Sequence, residues 1–149
     1  MPEQYDFELG KDGLAAIVVG VDGSPSSVNA AAWASGLARR ENALLVLVYV
    51  EQLSSLAYFT SLGAGSAAST AVEWVAELRG LAEQYFGGTG VRWELVHHRG
   101  DAAHGLEEVA EERRADCIVV GRSHHGGGLQ GSVPKALIHD ARRPVVVVP

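Results

Sequence analysis

Short apolar runs, separated by segments of helical length, most constrain how this chain can fold. Most are rich in β-branched residues, and a run that is apolar throughout is typical of a strand buried on both faces. The predicted strands are 14–21, 43–50, 91–98, 115–121 and 145–148. The third alternates between apolar and polar residues, which indicates a half-exposed edge strand.

In the segments between these runs, apolar residues recur at the spacing of a helix. The predicted helices begin after the Asp22 turn, with Ser24 or Ser26 as N-cap, and at positions 70, 102 and 132. The apolar stripe of the first is predicted at Val28, Ala31, Ala32, Leu37 and Ala38. That of the second is predicted at Val72, Val75, Leu78, Leu81, Ala82 and Tyr85.

Strands that alternate with helices imply right-handed parallel crossovers. We therefore predict an α/β fold: one doubly wound domain over 1–149, with a five-stranded, mainly parallel sheet and four helices. We take the strand order to be 3-2-1-4-5. Residues 1–13 are predicted as an extended lead-in. Residues 52–69 lack a clear period and are predicted as a flexible connection.

Composition excludes several classes of function. The net charge is −6 and no segment concentrates Lys or Arg, so nucleic-acid binding is not expected. No apolar run is long enough to span a membrane, and no apolar signal region opens the chain. The single cysteine, Cys117, allows no intramolecular disulfide. These features predict a cytoplasmic protein.

Two glycine-rich turns follow strands 1 and 4, which are neighbours in the predicted order. Ligands bind where the strand order reverses, at the carboxyl ends of the strands. Asp22 in the first turn can accept hydrogen bonds from a ribose; alternatively, it only binds the amides of its own turn. At the end of the second turn, Ser132 and Val133 begin a predicted helix, and their free amides can bind an anion.

Other chemistries have less support in the sequence. There is no P-loop and no G-x-G-x-x-G motif. The six histidines lack the spacing of metal ligands, and His97 and His98 are expected to point to opposite faces of their strand. No Ser-His-Asp set or acidic pair marks a catalytic centre. We predict no metal and no catalytic residue, and leave slow ATP hydrolysis open.

Four segments together resemble the universal stress protein family. They are Ile17-Val-Val-Gly-Val-Asp-Gly-Ser24, Asp116-Cys-Ile-Val-Val-Gly121, Gly131-Ser-Val-Pro and Arg143-Pro-Val-Val-Val-Val148. They occur in the family's order and span nearly the whole chain. The resemblance implies a dimer. Many members of the family bind ATP or a related adenine nucleotide, so the resemblance also implies such a nucleotide here, with Mg²⁺.

The resemblance also implies site residues. Asp22 takes the position of the family aspartate that contacts the adenosine. Gly20, Val21 and Val50 take the positions that form the wall of the adenosine pocket. The family phosphate loop, G-x-x-G-x9-G-[ST], is three residues shorter here, has His124 where the second glycine belongs, and offers Gly126 nearby. The implied nucleotide-binding residues are Gly20, Val21, Asp22, Val50, Val120, Gly121, His124, Gly126, Gly131, Ser132 and Val133.

The last predicted strand, 145–148, is very apolar and lies at a sheet edge. An exposed apolar edge is prone to aggregation unless it is paired, so we expect a two-fold dimer through this strand. The alternative is that Arg143, Pro144 and the N-terminal arm cover it. The predicted function is a cytoplasmic stress or signalling module that binds ATP or AMP. The alternative is a family member that binds no nucleotide and acts as an interaction module.

Overall fold

The computed structural model describes residues 13–52, 64–122 and 133–149, with side chains in the second range from residue 70 onward. Five parallel strands form one sheet in the order β3-β2-β1-β4-β5, which confirms the predicted order. The strands are β1 (Ala16–Gly20), β2 (Leu44–Glu51), β3 (Trp93–Arg99), β4 (Cys117–Gly121) and β5 (Val145–Val148).

Four helices are present in these described ranges, on both faces of the sheet. They are α1 (Pro25–Glu41), α2 (Ala64–Phe86), α3 (Ala102–Glu112) and α4 (Val133–His139). Ser24 is the N-cap of α1 and Asp101 that of α3, and each side chain accepts a hydrogen bond from the amide three residues later. The predicted doubly wound α/β fold is confirmed.

Helix α2 begins earlier than its apolar pattern indicates. The pattern starts at residue 70, whereas the helix starts at Ala64, so residues 64–69 of the predicted connection 52–69 are helical. Alanine favours helix without adding a large apolar side chain that would show a period. Residues 53–63 of that connection, and residues 1–12 of the predicted lead-in, lie outside the described residues.

The central strands are buried on both faces. On one face Val18, Val46 and Ile118 pack with Leu106 of α3 and Leu137 of α4. The other face of the sheet packs against α1 and α2. Its buried sheet residues are Ile17, Val19, Leu45, Leu47, Cys117 and Val119. This two-sided burial explains why the runs of β1, β2 and β4 are apolar throughout.

The predicted stripes of α1 and α2 are partly wrong. Helix α1 buries Ala30, Ala34 and Ala38 against the sheet, while Val28 is 48% exposed. Close approach of a helix to a sheet favours small side chains at the contact, so the larger residue is turned outward. In α2, Leu78 and Ala82 are buried as predicted. The predicted stripe residues Val72, Leu81 and Tyr85 are exposed.

Two polar side chains link distant parts of the chain. Asp116 Oδ2 accepts hydrogen bonds from the amides of Ala15 at 2.7 Å and Ala16 at 3.1 Å, just before and at the start of β1. Arg143, whose side chain is only 11% exposed, donates to the carbonyls of Ala110 and Ala115 and pairs with Glu107 and Glu111. The guanidinium thus joins α3 to the segment that leads into β5.

No helix in the described part of the chain is long and apolar enough to cross a bilayer. Cys117 is buried in β4, and the burial raises the pKa of its thiol to about 11, with a smaller contribution from Asp116. The thiol therefore stays protonated at neutral pH, as expected for a small core residue rather than a nucleophile.

Candidate functional site

A cavity of about 670 Å³ opens at the carboxyl ends of β1, β2 and β4. This is the position at which the strand order reverses in an open α/β sheet. Seven of the eleven residues predicted from sequence line it: Gly20, Val21, Asp22, Val50, Val120, Gly121 and Val133. The other four, His124, Gly126, Gly131 and Ser132, lie outside the described residues.

Sequence reasoning missed part of the wall. The further lining residues include Ser26, Ser27, Tyr49, Gln52, Trp74 and Leu106. The two serines carry a detectable signal, because polar residues directly after a glycine turn can bond to that turn. Here Ser27 Oγ donates to the carbonyl of Ser24, and Ser26 Oγ lies 3.4 Å from Ser24 Oγ. Ser26 and Ser27 are both buried, at 5% exposure each. Trp74 is brought to the site by the position of α2, which no local pattern shows.

Asp22 is held in place by the turn that it opens. Its Oδ1 accepts a hydrogen bond from the amide of Ser24 at 2.8 Å, and its own amide donates to Ser27 Oγ at 3.2 Å. The alternative role considered above, a turn carboxylate that binds its own amides, is therefore present. A carboxylate accepts several hydrogen bonds, so this role leaves capacity for a ligand.

The surroundings of Asp22 favour its ionised form. Burial alone would raise its pKa, but hydrogen bonds from the side chain and amide of Ser24 and from the side chain of Ser27 outweigh burial. The net effect holds the pKa below the ordinary value of 3.8. At neutral pH the cavity thus contains a fixed negative charge that accepts hydrogen bonds, suited to the hydroxyls of a sugar.

Trp74 lies against the turn that carries Asp22. Gly23 has a φ of +84°, and a Cβ atom built there would be 2.5 Å from Cζ2 of the indole. Both the backbone angle and the close ring therefore require glycine at this position. The indole forms a side wall of the cavity and supplies a flat apolar surface there.

Tyr49 and His97 form a stacked pair next to the site. Their ring centroids are 5.6 Å apart at an interplanar angle of 29°, and His97 Nε2 lies 2.9 Å from Glu51 Oε2. Burial, and then the negative charges of Glu51 and Asp22, raise the pKa of Tyr49. Its hydroxyl therefore remains a neutral group that can both donate and accept hydrogen bonds.

The two adjacent histidines of β3 face opposite ways, as predicted. His97 pairs with Glu51 of β2, while His98 packs on Gly105 of α3 and lies 3.2 Å from Glu108. Within the described residues, no group of three or more His, Cys, Asp or Glu side chains could hold a metal ion.

The described wall suits the nucleoside part of a ligand better than phosphates. Asp22 is the one charged residue among the described lining residues, and the rest of that wall is apolar or uncharged. A hydroxyl-bearing ring can thus be bound by Asp22 and packed on Trp74 and the valines.

The sequence profile of the universal stress protein family matches residues 14–149, nearly the whole chain. This chain belongs to the universal stress protein family. A universal stress protein of Methanocaldococcus jannaschii is 30% identical over 140 residues, which cover 89% of this chain and 80% of that protein. Membership confirms the resemblance drawn from the glycine turns and the terminal valine run.

Solved universal stress proteins share the fold. One, in complex with cAMP, is 24% identical, covers 91% of this chain and 97% of its own, and has a TM-score of 0.67. Another, from Archaeoglobus fulgidus in complex with dAMP, is 22% identical, covers 91% and 98%, and has a TM-score of 0.57. At these identities the likeness shows the architecture alone.

Proposed function

We propose that this universal stress protein binds an adenine nucleotide, ATP or AMP, and acts as a stress or signalling module. One observation carries the proposal: seven residues selected from sequence, scattered between Gly20 and Val133, line one cavity at the strand-order reversal. Two structures of the same fold and family were determined with cAMP and with dAMP, which supports an adenine nucleotide here.

The adenosine would occupy the described wall. Asp22 accepts hydrogen bonds from the ribose, while Gly20 and Val21 let the ring system approach the end of β1. We propose Gly126, Gly131 and Ser132 as the residues that bind the phosphates, with Mg²⁺ accompanying ATP. Because no cation lines the described wall, any excess in affinity for ATP over AMP measures the contribution of these three residues.

Calorimetric titration of nucleotide-stripped protein tests the proposal, with ATP plus Mg²⁺ and with AMP. We expect saturable binding of both, weakened about tenfold or more by Asp22→Ala, the order of one charge-assisted hydrogen bond. Asp140→Ala is the control, since Asp140 is exposed and lies outside the cavity. Absence of heat with either nucleotide would favour the alternative, an interaction module without a nucleotide.

We further propose a homodimer through β5. This strand is an edge of the sheet, and Val147 is 38% exposed. On the β4 side, the carbonyl of Pro144 accepts a hydrogen bond from the amide of Ile118, and that of Val148 accepts one from the amide of Arg122, directly after β4. Because successive peptide groups of a strand point to opposite sides, the amide of Val147 points to the open edge, where a second copy can pair.

Arg143 does not cover this edge, since its side chain turns toward α3. Sedimentation velocity of Val147→Pro tests the dimer, because proline removes the outward amide, and Val147→Thr keeps both that amide and the β-branched shape. We expect a monomer for the first variant and a dimer for the second. A dimer that persists in Val147→Pro would contradict pairing through β5.

We infer a binding role without catalysis. Asp22 is the single acidic residue of the described wall and would meet the adenosine rather than the terminal phosphate, so it is poorly placed to activate water there. Phosphate release from ATP should be the same in the wild-type protein and in Asp22→Asn. The buried, protonated Cys117 suits a reducing compartment, in agreement with a cytoplasmic protein.

A further inference from the structure

A second cavity, of about 420 Å³, lies between α1 and α2 over the face of the sheet. It adjoins the cavity at the strand ends, and Val21, Ser27 and Trp74 contribute to both. Its walls are mainly apolar. The large apolar side chains that line it include Val28, Leu47, Leu78, Leu81, Phe86 and Leu95.

The space exists because small residues of α1 face large residues of α2. Ala31, Ala32 and Gly36 line the α1 side, and their short side chains do not reach the leucines opposite. Val28, Leu81 and Tyr85 consequently remain 48%, 45% and 66% exposed. Exposed apolar residues gathered at the mouth of a cavity mark a place where a ligand removes apolar surface from water.

The only charge on the described lining of this cavity is positive. Arg39, in the last turn of α1, is the one charged residue among its described lining residues, in a chain with 18 acidic and 12 basic residues. It forms no ion pair with a carboxylate of the described chain, whereas Arg113 and Arg143 both do. Ser35, Thr89 and Tyr85 add neutral hydrogen-bonding groups.

We propose that this cavity binds an amphipathic carboxylate, with an apolar chain or ring between α1 and α2 and its carboxylate on Arg39. Apolar walls with a few oriented polar groups, in a volume of about 300–1,000 Å³, are typical of small-molecule sites. A guanidinium binds a carboxylate through two parallel hydrogen bonds. Asp22 does not line this cavity, so the carboxylate site does not use the residue proposed to bind the ribose.

Decanoate, used below its micellar concentration, is a suitable probe, and decyltrimethylammonium carries the same chain with the opposite charge. Calorimetric titration should show saturable binding of decanoate at one site per chain and at least tenfold weaker binding of the cation. Arg39→Gln should weaken decanoate binding about tenfold, the order of one charge-assisted pair. Arg40→Gln, a change at the neighbouring arginine outside the lining, should leave it unchanged.

A pair of glycine variants tests the location independently of charge. Gly36→Leu places a large side chain on the lining, where a Cβ atom meets only Arg40 within 4 Å, and should abolish decanoate binding. Gly80→Leu is the matched control on the exposed side of α2, where a Cβ atom meets nothing. Both replace a glycine inside a helix, which favours folding.

Three outcomes would overturn the proposal. They are the absence of saturable heat with decanoate, equally weak binding by the two arginine variants, and equal binding by Gly36→Leu and Gly80→Leu. If decanoate fails while Leu81→Lys dissociates an oligomer, a second copy covers the cavity instead. Asp22→Ala should bind decanoate normally, so a failure of nucleotide binding and a failure of this proposal remain distinguishable.

Discussion

Gly121, at the end of β4, lies directly against the backbone of Ser26 in the first turn of α1. A Cβ atom built at Gly121 would overlap the carbonyl group of Ser26 and lie 2.8 Å from the amide nitrogen of Ser27. Both elements line the cavity at the carboxyl ends of β1, β2 and β4. The glycine that the family pattern places at the start of the phosphate loop is thus also required by packing.

Gly121→Ala should therefore destabilise the protein by roughly 1–3 kcal/mol, the usual cost of forcing extra atoms into a packed contact. Urea unfolding followed by circular dichroism measures this change. The control, Gly80→Ala, adds a methyl group at an exposed helical position with open space and should stabilise by up to about 1 kcal/mol. Equal stabilities for the two variants would show that α1 moves away from β4 without cost.

Arg143→Lys should lower the free energy of unfolding by roughly 1–3 kcal/mol. Lysine keeps the charge but cannot serve two carbonyls and two carboxylates at once, and it would leave buried acceptors without donors. Glu107 is sensitive to the loss of the guanidinium, which pairs with its Oε2. Its other oxygen, Oε1, is buried and has no hydrogen-bond partner among the described residues.

The neighbouring residue supplies the control for this prediction. Arg142 is exposed, so Arg142→Lys should change the free energy of unfolding by less than about 0.5 kcal/mol. The prediction is contradicted if the two lysine variants unfold at the same urea concentration.

Stability should decrease in alkaline solution because of Cys117. Its pKa is about 11 in the folded protein and 9.0 ordinarily, so between these values the unfolded chain loses a proton that the folded chain keeps. The stability that this group contributes is complete below pH 9 and declines as the pH rises toward 11, by roughly 2–3 kcal/mol in all. The difference in unfolding free energy between wild type and Cys117→Ala isolates this effect, and a pH-independent difference would contradict it.

The fluorescence of Trp74 should report nucleotide binding, because its indole lines the proposed site. Trp33→Phe with Trp93→Phe leaves Trp74 as the single tryptophan, and saturating AMP should change its emission. Trp33 is 42% exposed on α1 and lines neither cavity. A protein that retains only Trp33 is therefore the control, and its emission should stay constant.

The strands of the sheet can be predicted from sequence, because burial on both faces requires a continuous apolar run. A strand such as Ile17–Val19 must be apolar at every position, and the alternation of such runs with helices indicates parallel strands. Asp22 and Gly121 follow, since Gly121 ends β4 and Asp22 lies two residues beyond the end of β1.

The helices are less predictable, because which face is buried depends on distances that only the folded chain sets. Val28 and Leu81 satisfy a helical apolar pattern, yet both border a cavity instead of the core. The role of Trp74 has the same origin, since it depends on where α2 lies over Gly23. Local periodicity contains no information about such spacing between layers.

The hydrogen bonds from Ala15 and Ala16 to Asp116 span about a hundred residues of sequence. Strand β1 is synthesised early, but β4, its neighbour on one side, follows only after β2, β3 and three helices. Closing so large a loop makes folding slow. The cavity at the strand ends needs the ends of β1 and β4 side by side. A ligand there can therefore bind only after this long-range pairing has formed, and it stabilises the assembled sheet.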